Sequence, residues 1–295
     1  MFSIYRDGKR NGRQRWRCRD CGHVWLQSTN SGWVGKAYRD YAHGRQTLAE
    51  LSKRYGCHRE TLRRQFERYV AASRPREVPA AKVALTFDAK FFGRDYGLLI
   101  YRALGRNIYW QEVDHEKMEY IAHGLRVLHA EGWRFSSFTI DGRRGVIQLL
   151  EQLFPGTPIQ LCQYHQKALV QRYLVGHLKT DCAKAIRALM VDMLRISEVE
   201  FLTRLHAIKR QYREFLKERH ESGQFKYRTL RAALRSLTAN SLYLYTWKRY
   251  PDLRIPNTTN SCDGSFAHWK AKVKLHRGLR KDRRAKMIHF LLQNT

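Results

Sequence analysis

The sequence of 295 residues lacks a long hydrophobic run, a dense set of cysteines, and acidic residues in number to match its basic ones. No stretch approaches 18 consecutive apolar residues, which argues against a membrane span. The first six residues, Met1 to Arg6, lack the apolar core of a secretory signal peptide. We therefore expect neither a membrane protein nor a secreted one.

The six cysteines stand at positions 18, 21, 57, 162, 182 and 262, and only the first two form a Cys-x-x-Cys pair. A scattered set in a large, charged chain is typical of reduced thiols and not of a disulfide framework. This pattern predicts a cytoplasmic or nucleoid location.

Charge is the strongest compositional feature. Fifty-six Lys and Arg against 26 Asp and Glu give a formal net charge of +30. Such a balance favours nucleic acid or an anionic membrane surface as a partner. The basic residues are spread over segments that also contain apolar residues, which favours DNA over a membrane. An apolar content of 43% and this chain length predict two or three folded units.

Residues 1–28 contain half of a zinc ribbon. Cys18 and Cys21 are the right ligands for Zn²⁺, but a structural site needs four, and no Cys or His precedes Cys18. His23 and His43 do not have the usual ribbon spacing. Two interpretations stay open: a partial zinc ribbon, or two unligated thiols on a hairpin.

Residues 29–72 resemble a helix-turn-helix region. Thr47 and Glu50 form a Thr-x-x-Glu capping box that begins one helix, Gly56 supplies a turn, and a second helix covers about His58–Val70. A generic basic helical hairpin is the alternative. The residues expected to contact DNA on the second helix are Arg59, Thr61, Arg63, Arg64 and Arg68.

Two prolines and no periodicity make residues 73–82 a linker, after which the pattern changes to strands. The predicted elements are, in order, strands Val83–Phe87, Gly97–Ala103 and Ile108–Val113, a helix over Met118–Leu128, strand Phe135–Ile140, helix Gly145–Leu153 and strand Pro158–Leu161. The order βββαβαβ predicts an α/β, ribonuclease H-like core over residues 83–175. That fold places the ends of its first and fourth strands side by side.

Asp88 and Asp141 each close one of these strands. Carboxylates held rigidly at strand ends suit hard cations such as Mg²⁺ or Mn²⁺, which bind one or two carboxylates together with substrate phosphates. The alternative is that both are strand-end caps or turn residues. Asp95, Asp114 and Glu116 are reserve acids, which we expect on loops.

Asp88, Asp141 and the Cys162-x-x-His165 sequence after the fifth strand resemble the Mutator-like (MULE) superfamily of DDE-type insertion-sequence transposases. The segment Pro256–Gly264 is similar to the one in which those enzymes carry their third acid, here Asp263. The resemblance covers most of the chain. It implies DNA strand cleavage and strand transfer by two Mg²⁺ ions at Asp88, Asp141 and Asp263. It also implies that terminal repeats and target DNA are partners, and that the protein works as a homodimer or higher oligomer.

The third acid departs from the family pattern, because such enzymes usually have a glutamate there and Asp263 is one methylene shorter. Asp263 also suits the N-cap of a helix over Gly264–Lys274. The resemblance further implies that Cys162 and His165 lie beside the active site and shape it or contact DNA, while a buried histidine bonded to the backbone is the alternative.

The 122 positions between Asp141 and Asp263 exceed what the core needs. Amphipathic patterns predict an all-helical insertion over residues 176–256. Residues 257–295 are predicted to form the last core helix and a basic tail, in which Arg280 and Lys281 contact DNA phosphates. Two alternatives to a transposase stay open: a ribonuclease H-like nuclease without strand transfer, and a DNA-binding protein derived from a transposase that has lost catalysis.

Overall fold

The computed structural model describes residues 3–26, 32–44, 46–72, 79–92, 96–276 and 279–293, with the backbone alone at 13, 71–72, 261–265 and 268. The strands are β1 (Ile4–Arg10), β2 (Arg13–Cys18), β3 (Val24–Leu26), β4 (Lys82–Phe91), β5 (Gly97–Ala103), β6 (Arg106–Val113), β7 (Arg134–Ile140) and β8 (Ile159–Leu161). The helices are α1 (Gly32–Ala42), α2 (Leu48–Tyr55), α3 (Arg59–Ala72), α4 (Met118–Ala130), α5 (Arg144–Leu153), α6 (Gln163–Leu174), α7 (Asp181–Asp192), α8 (Glu198–Gln211), α9 (Arg228–Leu244), α10 (Thr246–Arg249), α11 (Asn260–Leu275) and α12 (Lys281–Gln293).

The chain divides into two compact units. The first comprises Met1–Pro75 together with Ala271–Asn294, and the second comprises Arg76–Lys270. As domain limits, the boundaries inferred from the sequence stay predictions, and most of the proposed linker, residues 73–78, lies outside the described residues.

In the first unit, β1, β2 and β3 form an antiparallel sheet, and α2 and α3 follow the predicted helix–turn–helix pattern. The capping box is present: the Glu50 amide donates to Thr47 Oγ1 at 3.2 Å, and the Thr47 amide donates to Glu50 Oε2 at 2.7 Å. Gly56 ends α2 with a φ of 58°, a left-handed conformation that glycine adopts without strain.

Helix α12, in the C-terminal part of the chain, packs within the first unit. The ring of Phe290 in α12 lies edge-on to Tyr38, with centroids 4.7 Å apart, and Arg283 Nε donates to Glu67 Oε1 at 2.9 Å. The sequence did not anticipate this packing. The apolar face of α12 is complemented by aromatic side chains more than 200 positions earlier, and a local pattern cannot indicate such a partner.

The second unit is built on a five-stranded mixed sheet in the order β6-β5-β4-β7-β8. Neighbours β6, β5 and β4 are antiparallel, whereas β4, β7 and β8 are parallel. The predicted order βββαβαβ is therefore confirmed. Because β6 and β4 both run antiparallel to β5, the carboxyl ends of β4, β6, β7 and β8 all reach one edge of the sheet.

The opposite edge carries tight connections. Leu104 and Gly105, with φ of 52° and 72°, join β5 to β6, and Gly132, with φ of 97°, precedes β7. The first of these has both central residues at positive φ, as a two-residue hairpin requires.

Helices α7 to α10 lie between β8 and α11, in the part of the chain for which a helical insertion is predicted, and their apolar faces share one core with the sheet. Gln160 of β8 is fully buried, and its amide donates to the carbonyl of Leu244 at 2.9 Å, which ties α9 to the sheet. Within the described ranges, no helix combines the length and apolarity needed to cross a bilayer.

Candidate functional site

Asp88 and Asp141 are brought together by strand register. β4 pairs in parallel with β7 as far as Thr86 opposite Thr139. Two residues further along the same register, Asp88 stands beside Asp141. Since side chains two apart on a strand share a face, both carboxylates project on the same side of the sheet.

The prediction that Asp88 closes its strand is wrong. β4 continues to Phe91, and Asp88 pairs with Ile100 of β5. The neighbouring strand β7, however, ends at Ile140. At Asp88, β4 is therefore paired with β5 alone, because β7 has already ended. Asp141 begins the loop that follows β7.

Glu116 is the third acid at this edge. It lies in the loop after β6, a strand that runs in the same direction as β4. One carboxylate oxygen from each of Asp88, Glu116 and Asp141 lies within 4.8 Å of the others, and all three residues are half-buried. Three oxygen donors this close can hold a metal ion, and their chemistry fits a hard cation such as Mg²⁺ or Mn²⁺. The sequence signal for Glu116 was its place after a strand parallel to β4.

Arg143 supplies positive charge to this carboxylate cluster (Asp88, Glu116 and Asp141). Its guanidinium donates to the Glu116 carboxylate, and its Nε lies 3.6 Å from Asp141 Oδ2. Burial raises the pKa of Glu116, with Asp141 adding to the effect and Arg143 opposing it. A carboxylate that is costly to ionise beside another carboxylate gains from a bound cation.

The reserve acid Asp114 is not part of the cluster. Its Oδ1 accepts a hydrogen bond from the Tyr120 hydroxyl at 2.7 Å, and this bond, followed by one from His115, lowers the pKa of Asp114. Asp95 lies outside the described residues.

Asp263 lies in α11, and its side chain is outside the described part of the chain. Its role as a metal ligand stays a prediction. The alternative of a helix cap is wrong, because α11 begins at Asn260 and places Asp263 in the first turn.

Cys162 and His165 hold the segment before α11. Cys162 Sγ accepts from the Thr259 amide at 3.3 Å and from its hydroxyl at 3.4 Å, and Thr259 Oγ1 lies 3.2 Å from His165 Nδ1. Burial raises the pKa of the Cys162 thiol, but the hydrogen bonds from His165 and Thr259 outweigh it, and the net pKa is lowered.

Further hydrogen bonds tie Pro256–Thr259 to the same sheet edge. Thr139 Oγ1 donates to the Pro256 carbonyl at 2.7 Å, and the backbone amide of Gln163 donates to the Asn257 carbonyl at 3.0 Å. The return of the chain from the helical insertion is thus attached to the ends of β7 and β8, which flank Asp141.

Cys18 and Cys21 lie on a tight turn between β2 and β3, where Cys18 is buried and Cys21 is exposed. The Gly22 amide donates to the Cys18 carbonyl at 3.0 Å, and the Cys18 amide donates to the His23 carbonyl at 2.9 Å. No third ligand among the described residues completes a metal site with this pair. Zinc binding here stays a prediction.

Arg59, Arg64 and Arg68 are exposed on α3, whereas Thr61 and Arg63 are half-buried. Arg63 forms an ion pair with Glu60 one turn away, so part of its hydrogen-bonding capacity is already used. Arg280 and Lys281, at the start of α12, are exposed as well. Their contacts with DNA stay predictions.

No family model matches the chain, and no curated protein matches it. Among solved structures, the chain is similar to a Drosophila P element transposase strand transfer complex, with 14% identity and a TM-score of 0.34. The similarity covers 94% of this chain and 93% of that chain. A likeness of this degree leaves fold and function to be argued from the chain's own residues.

Proposed function

We propose that the chain is a metal-dependent DNA transposase of the Mutator-like type, with a ribonuclease H-like core. The observation that supports this best is the convergence of Asp88, Glu116 and Asp141 at one edge of a sheet built in the order βββαβαβ. The net charge of +30 supplies the affinity for a polyanionic substrate.

In this proposal Asp88, Glu116 and Asp141 hold the divalent ions, with Asp263 as a further ligand. Bound ions would activate a water or a 3′-hydroxyl and stabilise the leaving oxygen of an in-line displacement. β4 carries Asp88, and Asp141 and Glu116 follow the ends of β7 and β6, so the sheet positions the carboxylates before DNA arrives. Arg143 offers positive charge to a phosphate once an ion has taken its carboxylate partners. Joining two element ends to target DNA requires two active sites, which implies a dimer or higher oligomer.

The test is cleavage of duplex DNA that carries the element's terminal repeat, with Mg²⁺ or Mn²⁺. We expect Asp88→Asn, Glu116→Gln and Asp141→Asn each to lower the cleavage rate by about 100-fold or more, equivalent to about 2.7 kcal/mol. Asp114→Asn is the matched control, since that acid lies on the same loop as Glu116 and is bonded to Tyr120 instead. Full cleavage by the Asp88 variant would rule the proposal out.

A second candidate is a ribonuclease H-like nuclease without strand transfer. Glu116 favours it, because three ligands at the sheet edge suffice for hydrolysis without any contribution from α11. Pre-cut ends with a free 3′-hydroxyl separate the two: a transposase joins them to target DNA, and a nuclease does not. A chain that binds terminal repeats but neither cuts nor joins DNA, even as Asp263→Glu, would be a transposase-derived DNA-binding protein.

A further inference from the structure

The helical insertion contains two adjoining cavities, of about 420 and 480 Å³, that share Arg231 and Arg235 in their walls. α9 contributes Arg228, Arg231 and Arg235, which stand three and four positions apart and so share one face of the helix. The facing wall comes from α8 and the segment after it. We name the whole feature the arginine groove, and its basic residues are Lys209, Arg213, Lys217, Arg228, Arg231 and Arg235.

No carboxylate lines either cavity. Residues 204–235 contain ten Lys and Arg against three Glu. Glu214 pairs with Lys217 at 2.8 Å and with Arg213 at 3.9 Å, but all three side chains are largely exposed, so water screens these pairs. The groove thus keeps most of its positive charge for a ligand.

Phe225 holds Arg231, one of the groove's cations, in place before any ligand binds. The guanidinium carbons of Arg219 and Arg231 lie 3.9 and 3.7 Å from the centre of its ring. Both guanidinium groups lie over the ring of Phe225, so arginine side chains already cover it. Arg231 also donates to the Leu216 carbonyl at 3.0 Å, which fixes its position further. Preorganised guanidinium groups lose little entropy on binding an oxyanion.

We propose that the arginine groove binds the sugar–phosphate backbone of duplex DNA without reading its sequence. The ligand is an extended polyanion, because the cations line two consecutive cavities instead of converging on one point. Phosphates are the target and bases are not, since the one aromatic ring of the walls is already covered by arginines. The inference rests on the proposed function only in taking DNA as the substrate, and it adds a contact made by residues outside both the carboxylate cluster and α3.

The test compares two triple variants that lose the same charge. The groove variant combines Lys209→Gln, Arg228→Gln and Arg235→Gln. It removes three exposed cations from the groove and leaves Arg231, whose bonds support the fold. The control variant combines Lys179→Gln, Arg187→Gln and Arg195→Gln, which removes three exposed cations elsewhere in the same unit. The affinity of the full chain for two duplexes of unrelated sequence is measured by fluorescence anisotropy in EDTA, between 50 and 200 mM NaCl.

We expect the groove variant to lower the slope of log K against log salt by about 2 to 3, because each lost phosphate contact removes about 0.9. Its affinity should fall equally for both duplexes, by about 10-fold or more at 100 mM NaCl, while the control variant shifts the slope by less than about 1. Equal effects of the two variants would overturn the proposal, as would a loss confined to one duplex. If the triple variant does not fold, Arg235→Gln alone should lower the slope by about 0.9.

Because EDTA removes the divalent ions, this experiment measures DNA binding without metal-dependent cleavage. Asp88→Asn should bind with the wild-type slope, so a failure of the groove and a failure of the carboxylate cluster give different results.

Discussion

At the scale of single residues, Arg143 decides how the carboxylate cluster behaves without a metal ion. Its guanidinium contacts both Glu116 and Asp141, and it therefore occupies the electrostatic position that a divalent ion would take. The side chain is 42% exposed, so the ion pairs are partly screened and can be exchanged at small cost. The arginine and the metal ion compete for the same oxygens.

We therefore predict that Arg143→Gln strengthens metal binding. Without Mg²⁺ the variant should lose up to about 1 kcal/mol of stability, since its ion pairs are partly exposed. With Mg²⁺ the gain in melting temperature should exceed that of the wild type, because no guanidinium has to be displaced. Thermal unfolding across a Mg²⁺ titration measures both effects. Arg144→Gln, an exposed neighbour, is the control, and an unchanged or smaller response to Mg²⁺ in the Arg143 variant would contradict the prediction.

The sequence predicts the two aspartates as metal ligands, whereas it predicts Glu116 only as a reserve acid on a loop. Asp88 and Asp141 each follow an apolar run, and the βββαβαβ order places those runs side by side. Glu116 follows a strand two places away in the sheet, and only the direction of β6 relative to β4 brings its loop to the same edge. The signal for Glu116 is thus the direction of a whole strand and not a local residue pattern.

At the scale of elements, the segment Pro256–Thr259 is the feature that connects the helical insertion with the sheet edge. Thr259 is fully buried, and its amide and hydroxyl are both bonded to Cys162. Cys162 and His165 are thus positioning residues for the start of α11.

We predict that Thr259→Val loosens this attachment and raises the pKa of the Cys162 thiol. The valine keeps the volume but removes the hydroxyl, at a cost of about 1 to 2 kcal/mol. Amide hydrogen exchange over residues 256–260 should become faster, and the pH midpoint of Cys162 alkylation, followed by mass spectrometry, should move upward. The sign follows from the lowered pKa, because hydrogen bonds from Thr259 now favour the thiolate.

Thr258→Val is the matched control, since the preceding threonine makes no bond to Cys162. If both variants shift the midpoint equally, the hydroxyl of Thr259 does not hold the segment.

The alternating and the helical spacing of apolar residues predicted most elements of the second unit. The same patterns did not predict α1 or the packing of α12 against α1 and α3. Tyr38 of α1 packs on Phe66 of α3 and on Phe290 of α12, with ring centroids 5.0 and 4.7 Å apart. These aromatic contacts join three helices from opposite ends of the chain. Each helix has an apolar face, but only their assembly shows which faces meet.

At the scale of the whole molecule, the net charge of +30 has two opposite effects. Like charges repel one another in the compact state and lower its stability, and the same charges attract DNA. Salt screens both interactions, because raising its concentration from 0.1 to 1 M shortens the Debye length from about 10 to about 3 Å.

We predict that this increase in NaCl raises the melting temperature of the free protein, by about 2 to 4 °C for each kcal/mol of repulsion removed. In the presence of duplex DNA the melting temperature should fall over the same range, since salt removes a stabilising ligand. Differential scanning calorimetry of the two samples measures both trends. A melting temperature of the free protein that falls with salt would show that self-repulsion does not limit its stability.

The two edges of the five-stranded sheet differ in a way that matters for engineering. The acids, Cys162 and the Pro256–Thr259 attachment all gather at the edge where four strands end, while tight connections such as Leu104–Gly105 lie at the far edge. New chain termini, a reporter tag or a circular permutation at the Leu104–Gly105 turn would leave the carboxylate cluster untouched. The same changes at the near edge would alter the site itself.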